Sequence, residues 1–177
     1  MKKISLTVLS AVFLISASAV QAAEVAHNLQ FSGNLIIPDC TVNDGNPIKT
    51  EWKDVEIQTL GTASAPSHEQ ELRISVKCPY FLGTPKMAIK GNAVDVAGKQ
   101  GLQTTKYNEG LLVFLRTKTA GSWISYNSRQ NIPDDSISGA GTDKFLTMYA
   151  ALGYSGKMED LTPGPFSAGA TLEMRYE

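Results

Sequence analysis

Gly164-Pro165-Phe166-Ser167-Ala168-Gly169-Ala170-Thr171-Leu172-Glu173-Met174-Arg175-Tyr176-Glu177 is the stretch that decides the fold. Apolar residues occupy every even position from 166 to 176, and polar or small residues stand between them. Because side chains alternate between the two faces of an extended strand, the pattern predicts a strand over residues 166–176 with one apolar face. That strand is either the ordinary last strand of a sandwich, or a strand that lines a groove filled by another chain.

A second alternating stretch lies near the other end of the chain. Between residues 25 and 37, five apolar side chains fall on odd positions, and Gly33 interrupts them. A glycine within a strand marks either a bulge or the close approach of another backbone. The stretch is therefore the first strand of this domain, or a strand offered to a different molecule. Its odd-position residues are Val25, Leu29, Phe31, Gly33, Leu35 and Ile37.

The first 22 residues have the features of a removable export signal. Lys2 and Lys3 precede an apolar run that small residues close, and we expect cleavage before Ala23. Hydroxyl side chains dilute the run, which disfavours a membrane anchor. Removing 22 of 177 residues leaves 155, enough for one domain, with 14 basic and 17 acidic residues and a net charge of −3. This charge disfavours nucleic acid or an anionic membrane as the main partner.

The sequence contains two cysteines, Cys40 and Cys78. Export places them in an oxidising compartment, where a pair usually forms a disulfide. A metal pair and free thiols are the alternatives, but neither cysteine has a second Cys or a His at ligand spacing. A disulfide that closes a loop of this length would stabilise the fold by about 3–4 kcal/mol.

The chain between these features is predicted to be all-β. Short apolar or alternating runs are separated by clusters of turn residues, and no segment has a helical period, which is typical of a sandwich. We predict strands near residues 52–60, 72–78, 86–90, 110–115, 123–126 and 145–152. The remaining long segments are predicted loops, at residues 61–68, 91–109, 131–142 and 153–164.

No group of residues predicts catalysis, so we do not expect an enzyme, a metal or a cofactor. His27 and His68 have no recognisable nucleophile beside them, and a Gly-x-Ser-x-Gly motif is absent from the sequence. The acid pairs Asp134-Asp135 and Glu159-Asp160 lie in loops rich in Gly or Pro, where adjacent acids are usually solvated.

Three motifs in this order resemble pilin subunits of the chaperone–usher pathway. They are the arm ending in Gly-Asn-Leu-Ile-Ile-Pro-Asp-Cys-Thr-Val at 33–42, the second cysteine in Cys-Pro-Tyr at 78–80, and the terminal stretch with its penultimate Tyr176. The resemblance is most specific for subunits of the thin tip fibrillum of P pili and covers the whole chain after the leader. Further matching segments are residues 55–60, 78–84, 110–113, 152–154 and 164–168.

The resemblance implies an incomplete immunoglobulin-like sandwich that lacks its last strand. Residues 1–22 would be the signal peptide, 23–37 a donor-strand extension and 38–177 the pilin domain. The donor residues would be Val25, Leu29, Phe31, Gly33, Leu35 and Ile37. The wall of the resulting groove, and the surface for a chaperone, would be Phe166, Ala168, Ala170, Leu172, Met174, Tyr176 and Glu177, whose terminal carboxylate the chaperone would hold.

The implied partners are a periplasmic pilus chaperone, an outer-membrane usher and neighbouring pilin subunits of the same or another kind. The chain would pass through the periplasm and join a cell-surface fimbrium that supports adhesion. A rod subunit or an adaptor would share these features with a tip subunit. A free-standing secreted β-sandwich that binds a ligand through its loops is the alternative of another class, and it would pair residues 23–37 within its own sheet.

Overall fold

The structure, a computed structural model, describes residues 28–177. Residues 28–34 belong to one compact unit, and residues 35–177 form a second unit. The predicted leader, its cleavage site, Val25 and His27 lie outside the described residues. Across residues 28–177, no helix has both the length and the apolar character needed to cross a membrane.

The described chain is all-β, as predicted, and its only helical pieces are single 3-10 turns. The strands are β1 (Thr41–Val42), β2 (Gly61–Thr62), β3 (Ser67–Lys77), β4 (Pro85–Gly91), β5 (Ala93–Val96), β6 (Lys99–Gln103), β7 (Leu111–Thr117), β8 (Arg129–Asn131), β9 (Ile137–Ala140), β10 (Asp143–Tyr154) and β11 (Ala170–Tyr176). The 3-10 turns are Asn43–Gly45, Ile57–Thr59, Tyr107–Glu109, Asp134–Ser136 and Met158–Asp160.

The strands form two sheets. The larger sheet has the order β1-β3-β10-β7-β6-β5, and β2 and β9 also pair with β10. The smaller sheet has the order β11-β4-β8, which makes β11 an edge strand. All of these pairs are antiparallel except the short parallel contact between β2 and β10.

The core lies between the inward faces of the two sheets. On β3 and β10 alternate residues are buried, and Ile74 lies opposite Leu146 in the pairing register. Met87 of β4 and Met174 of β11 cover them from the smaller sheet. Full burial of each such side chain contributes on the order of 1.5–3 kcal/mol, so this interior supplies most of the driving force for folding.

The predicted disulfide is present between Cys40 and Cys78, whose Cα atoms are 4.2 Å apart. Cys78 follows β3 and is fully buried, as the alternation along that strand predicted. The amide of Cys40 donates a hydrogen bond to the carbonyl of Met174 at 2.8 Å. The disulfide therefore connects the start of the second unit to both sheets.

The predicted loop at residues 91–109 is wrong, because β5 and β6 form a hairpin there. Its turn residues Ala97 and Gly98 have φ values of 51° and 75°. Positive φ values at both central residues are typical of a type I′ hairpin turn, for which Asn-Gly is the usual sequence. Alanine at the first position hid this turn from sequence analysis.

Three other predicted boundaries also differ. Residues 123–126 form only isolated bridges, through Trp123 and Tyr126, instead of a strand. The predicted loops at 61–68 and 131–142 contain β2, the start of β3 and β9. These short elements pair with the long β10 or extend β3, so tertiary pairing rather than local pattern defines them.

The predicted strand at 52–60 is also wrong, because this segment contains no strand and only the 3-10 turn Ile57–Thr59. The segment is held by side chains instead. The indole of Trp52 donates to the carbonyl of His68 at 2.7 Å, and Thr59 bonds the ring of His68 at 2.9 Å. Without a neighbouring backbone to pair with, an apolar segment is not assigned as a strand.

Candidate strand-binding groove

A groove of about 1080 Å³ opens into the core of the second unit. Its walls are residues 48–60 on one side and 161–172 on the other. The floor is apolar and comes mainly from the larger sheet. The floor residues are Leu72, Ile74, Ile89, Leu102, Leu111, Val113, Leu115, Met148, Ala150 and Leu152.

The edge strand β11 supplies one wall and has a free side. Its other side pairs with β4 from Ala170 opposite Gly91 to Tyr176 opposite Pro85. The carbonyl of Met174 points away from β4, because it accepts the hydrogen bond from Cys40. Backbone groups alternate sides along a strand, so those of Ala170 and Leu172 point the same way. Within residues 28–177 no neighbouring strand occupies that side beside Ala170 and Leu172.

The terminal strand begins four residues later than predicted. Residues 166–169 are not assigned as strand because β4 ends at Gly91, opposite Ala170. In this part Ser167 forms two hydrogen bonds with Thr105. Its carbonyl accepts from the amide of Thr105 at 2.9 Å, and its amide donates to the Thr105 hydroxyl at 3.1 Å. The wall therefore continues past the end of its own sheet.

Four of the residues predicted to line the groove do so: Phe166, Ala168, Ala170 and Leu172. Met174 and Tyr176 do not line the groove but are buried in the closed core. The reason is the hydrogen bond and disulfide of Cys40, which close the sandwich at this end of β11. Glu177 also lies outside the groove. The wall is thus shorter than the sequence predicted.

The opposite wall, residues 48–60, was missed as part of the groove. Its apolar lining residues are Ile48, Trp52, Val55, Ile57 and Leu60. The ring of Trp52 approaches that of Phe166 from the other wall, with centroids 6.2 Å apart. The sequence predicted a strand over residues 52–60, but only the structure shows that, among the described residues, no strand lies between the two walls.

The predicted donor residues form no strand within the described range. Residues 28–40 have no assigned secondary structure, and the side chains of Leu29, Phe31, Leu35 and Ile37 are exposed. A Cβ atom added to Gly33 would meet no atom within 4 Å, and the backbone there is not in the left-handed region. Nothing among residues 28–177 therefore requires a glycine at position 33. The first-strand alternative is wrong for residues 28–37.

The last residue is held by three cations. The Glu177 carboxylate accepts from Lys86 at 2.8 Å and Arg129 at 3.2 Å, and also from Arg175. The hydrogen bonds from Lys86 and Arg175 lower the pKa of Glu177 to about 2. The amide of Thr84 donates to the backbone carbonyl of Glu177 at 2.7 Å, and the amide of Glu177 donates to the carbonyl of Thr84 at 3.0 Å.

A second polar cluster lies where residues 161–165 line the groove. The ammonium of Lys106 bonds both carboxylate oxygens of Glu109, at 2.9 and 3.0 Å, and the carbonyl of Thr162 at 2.9 Å. The amide of Thr162 donates to Glu109 at 2.8 Å, and this bond, with Lys106, lowers the pKa of the carboxyl. The cluster fastens the wall segment to the turn at Tyr107–Glu109.

Carboxylates, histidines and cysteines are scattered over the described residues instead of gathered as metal ligands. Within residues 28–177, no group of three or more His, Cys, Asp or Glu side chains is placed to bind a metal ion. In the acid pair Asp134-Asp135, Asp135 accepts hydrogen bonds from the hydroxyls of Thr119 at 2.9 Å and Ser136 at 3.0 Å. The groove floor, by contrast, is lined by apolar side chains.

Comparison with known proteins agrees with this geometry. A family model described as Fimbrial protein matches residues 29–177. The fimbrial protein PrsE of Escherichia coli is 34% identical over 88% of this chain and 88% of its own length. The fimbrial adapter PapF of Escherichia coli is 23% identical over 92% of this chain and 94% of its own.

Two solved structures share the fold. The crystal structure of the P pilus rod subunit PapA covers 85% of this chain and 100% of its own, with a TM-score of 0.57 and 20% identity. The P pilus adaptor subunit PapF covers 81% of this chain and 100% of its own, with a TM-score of 0.51 and 21% identity. The chain therefore belongs to the fimbrial protein family, as a structural pilin subunit with an immunoglobulin-like sandwich and not as an enzyme.

Proposed function

We propose that this chain polymerises by donor-strand exchange. Residues 23–37, the donor arm, complete the sandwich of one neighbouring subunit, and the groove of this chain takes the arm of the next. The observation that carries the proposal is the open groove beside the free side of β11. Addition of a strand to such an edge combines backbone hydrogen bonds, which give affinity, with alternate side chains that enter pockets and set the register.

The dimensions of the donor arm suit the groove. Residues 29–37 in extended form span about 27–30 Å, and the groove wall from residue 166 to 172 spans about 20 Å. One face of such a strand would place Leu29, Phe31, Leu35 and Ile37 on an apolar floor. Its backbone would meet the free groups of Ala170 and Leu172. Val25, which lies outside the described residues, would extend the same face.

We also propose that a periplasmic chaperone fills the groove before assembly and that an outer-membrane usher directs the exchange. An exposed apolar groove beside an unpaired edge strand promotes aggregation, so a free subunit needs a temporary strand. This strand would cover Phe166, Ala168, Ala170 and Leu172. Basic residues of the chaperone would bind the terminal carboxylate of Glu177, whose side chain already has cation partners in its own molecule.

Within the fimbrium, we propose a place in the tip fibrillum. The sequence motifs at 55–60, 78–84 and 164–168 support this place. The chain is also 34% identical to PrsE but only 23% identical to the adapter PapF, which disfavours an adaptor. Quantitative mass spectrometry of purified fibres tests the place, because a rod subunit would outnumber all others and an adaptor would occur once.

Deletion of residues 23–35 tests the mechanism. The groove lies wholly in the second unit, so the deletion variant should still form a soluble complex with a co-expressed chaperone. It should accept one arm and then fail to donate, so that electron microscopy shows no fibres while the full-length chain assembles. Gel filtration measures the chaperone complex. Loss of chaperone binding on deletion, or a soluble full-length monomer without any chaperone, would contradict the mechanism.

A further inference from the structure

Three consecutive large apolar residues are exposed in the short loop between β3 and β4. Tyr80, Phe81 and Leu82 have exposed fractions of 36%, 42% and 64%. We name residues 79–83 the arm-root loop. Isolated apolar residues on a surface need no explanation, but three adjacent ones, two of them aromatic, are typical of a binding surface. None of the three lines the groove, so donor-strand exchange as proposed above leaves them without a role.

The arm-root loop is held in place at both ends. On one side Cys78 is bound in the disulfide, and its amide donates to the carbonyl of Thr142 at 2.8 Å. On the other side Thr84 exchanges two backbone hydrogen bonds with Glu177. Gly83 has a φ of +98°, and a Cβ there would lie 2.5 Å from the carbonyl oxygen of Glu177. The apolar side chains are therefore presented from fixed loop ends, which lowers the entropic cost of binding.

The arm-root loop lies close to the end of the donor arm. Ile37 is three residues before Cys40, a distance of at most about 11 Å along the chain. The Cα atoms of Cys40 and Cys78 are 4.2 Å apart, and Phe81 follows three residues later. A pilin domain of this size has a diameter of about 40 Å, on the basis of a radius of gyration of about 15 Å. A subunit that binds Leu35 and Ile37 is thus large enough to extend over Phe81.

We infer that the arm-root loop is a second contact surface, which packs against the subunit that receives the donor arm. This inference rests on the proposed function and adds a contact outside the groove. Exposed Leu35, Ile36 and Ile37 precede Cys40, which the disulfide joins to the start of the arm-root loop, so the contact would be continuous with the strand-exchange interface. Packing of Phe81 and Leu82 would fix the angle between successive subunits, where the arm alone would act as a flexible tether.

A defined pair of subunits tests the inference. The acceptor is a second copy of this chain without residues 23–35, bound to the chaperone, and the donor is the full chain, whose own groove keeps its chaperone. Donors carry either no change, Phe81→Ser with Leu82→Ser, or Tyr107→Ser. Tyr107 is the matched control because it is an exposed aromatic residue, at 38%, in the turn at Tyr107–Glu109. A peptide of residues 23–37 serves as an arm without a loop.

The unchanged donor and the Tyr107→Ser donor should form pairs that dissociate at equal rates. The double variant should dissociate about tenfold faster, near the rate of the arm peptide, because it loses two apolar anchors. Amide exchange at residues 80–83 should slow on pairing only in donors with an intact loop. Unchanged exchange in the core strands confirms that the double variant is folded.

Two results would overturn the inference and leave the proposed function intact. One is a double variant that dissociates at the unchanged rate while residues 80–83 stay unprotected in every pair. The other is protection of these amides already in the chaperone-bound donor with no change on pairing, which would assign the loop to the chaperone. If neither the peptide nor the unchanged donor enters the acceptor, the proposed function itself fails, and the inference fails with it.

Discussion

The C-terminal strand and the N-terminal arm share one pattern of alternating apolar residues and differ in what lies beside them. β11 runs next to β4 and is a strand over Ala170–Tyr176. Residues 28–37 have no assigned strand, although Leu29, Phe31, Leu35 and Ile37 also fall on alternate positions. The pattern determines which face is apolar, whereas a neighbouring backbone determines whether a strand forms.

The same difference occurs within the terminal segment itself. Residues 166–169 continue the alternation of β11 but leave the strand where β4 ends at Gly91. The facing wall, residues 48–60, has apolar residues between polar ones and has no strand for the same reason. Both unpaired segments border one groove. A donor arm that entered the groove as a strand would therefore supply a pairing partner for both walls and would itself become paired.

Of the changes proposed, Gly33→Leu should have the largest effect, because it should prevent the arm from pairing with a neighbouring subunit and so block fibre assembly. In the free chain nothing lies within 4 Å of the new Cβ, so the free energy of unfolding should change by less than about 0.5 kcal/mol. In the groove of a neighbour, a leucine at the position of closest backbone approach should block exchange. Electron microscopy should show no fibres, while the chaperone complex forms normally.

Asn34→Leu is the matched control for this variant. It introduces the same side chain one residue later, on the opposite face of an extended arm. Fibres should still form, because that face is directed away from the groove. Normal assembly of Gly33→Leu, or equal loss of assembly in both variants, would contradict a donor strand with the register proposed for Leu29 to Ile37.

Smaller effects should distinguish the closed end of β11, at Met174, from its open end, at Leu172. Met174 is 1% exposed in the core, so Met174→Ala should lower the free energy of unfolding by about 2–5 kcal/mol. Leu172 is only half-buried in the groove wall, and Leu172→Ala should cost less than Met174→Ala in the same assay. Urea denaturation of the subunit with its groove filled by a peptide of residues 23–37 provides the measurement.

The order of the two variants should reverse when the dissociation rate of the peptide is measured instead. Leu172→Ala removes a wall contact and should speed dissociation, whereas Met174→Ala acts on a side chain away from the groove. If Met174→Ala proves the faster of the two, the groove wall would extend further along β11 than the hydrogen bond between Cys40 and Met174 allows.

Most features that the sequence predicted correctly depend on the pattern of one continuous segment; the disulfide depends on the presence of only two cysteines. Alternation was enough for β3, β4 and the apolar face of β11, an apolar run was enough for β7 and β10, and export with two cysteines was enough for the disulfide. The role of residues 48–60 as a groove wall could not be predicted, because it depends on the absence of a pairing strand beside them among the described residues. The hairpin of β5 and β6 turns at Ala97-Gly98, and the positive φ of Ala97 could not be predicted from its residue type.

The smallest expected effect is the pH dependence of stability that comes from Glu177, next to the C-terminal end of β11. The ordinary pKa of a glutamate is 4.5, and hydrogen bonds from Lys86 and Arg175 lower that of Glu177 to about 2. A lowered pKa in the folded state means that the ionised form stabilises the fold. This contribution is complete above about pH 4.5 and is lost as the pH falls through the folded pKa near 2.

Glu177→Gln should therefore reduce stability at neutral pH and flatten the decline between pH 4.5 and 2, as measured by urea denaturation at each pH. The effect should be small and should shrink with added salt, because the pairs lie near the surface and are screened. Glu159→Gln is the control, since Glu159 has no ion pair in the described part of the chain. If the two variants show the same pH profile, the three cations do not secure this end of β11, and its closure depends on Cys40 and the core alone.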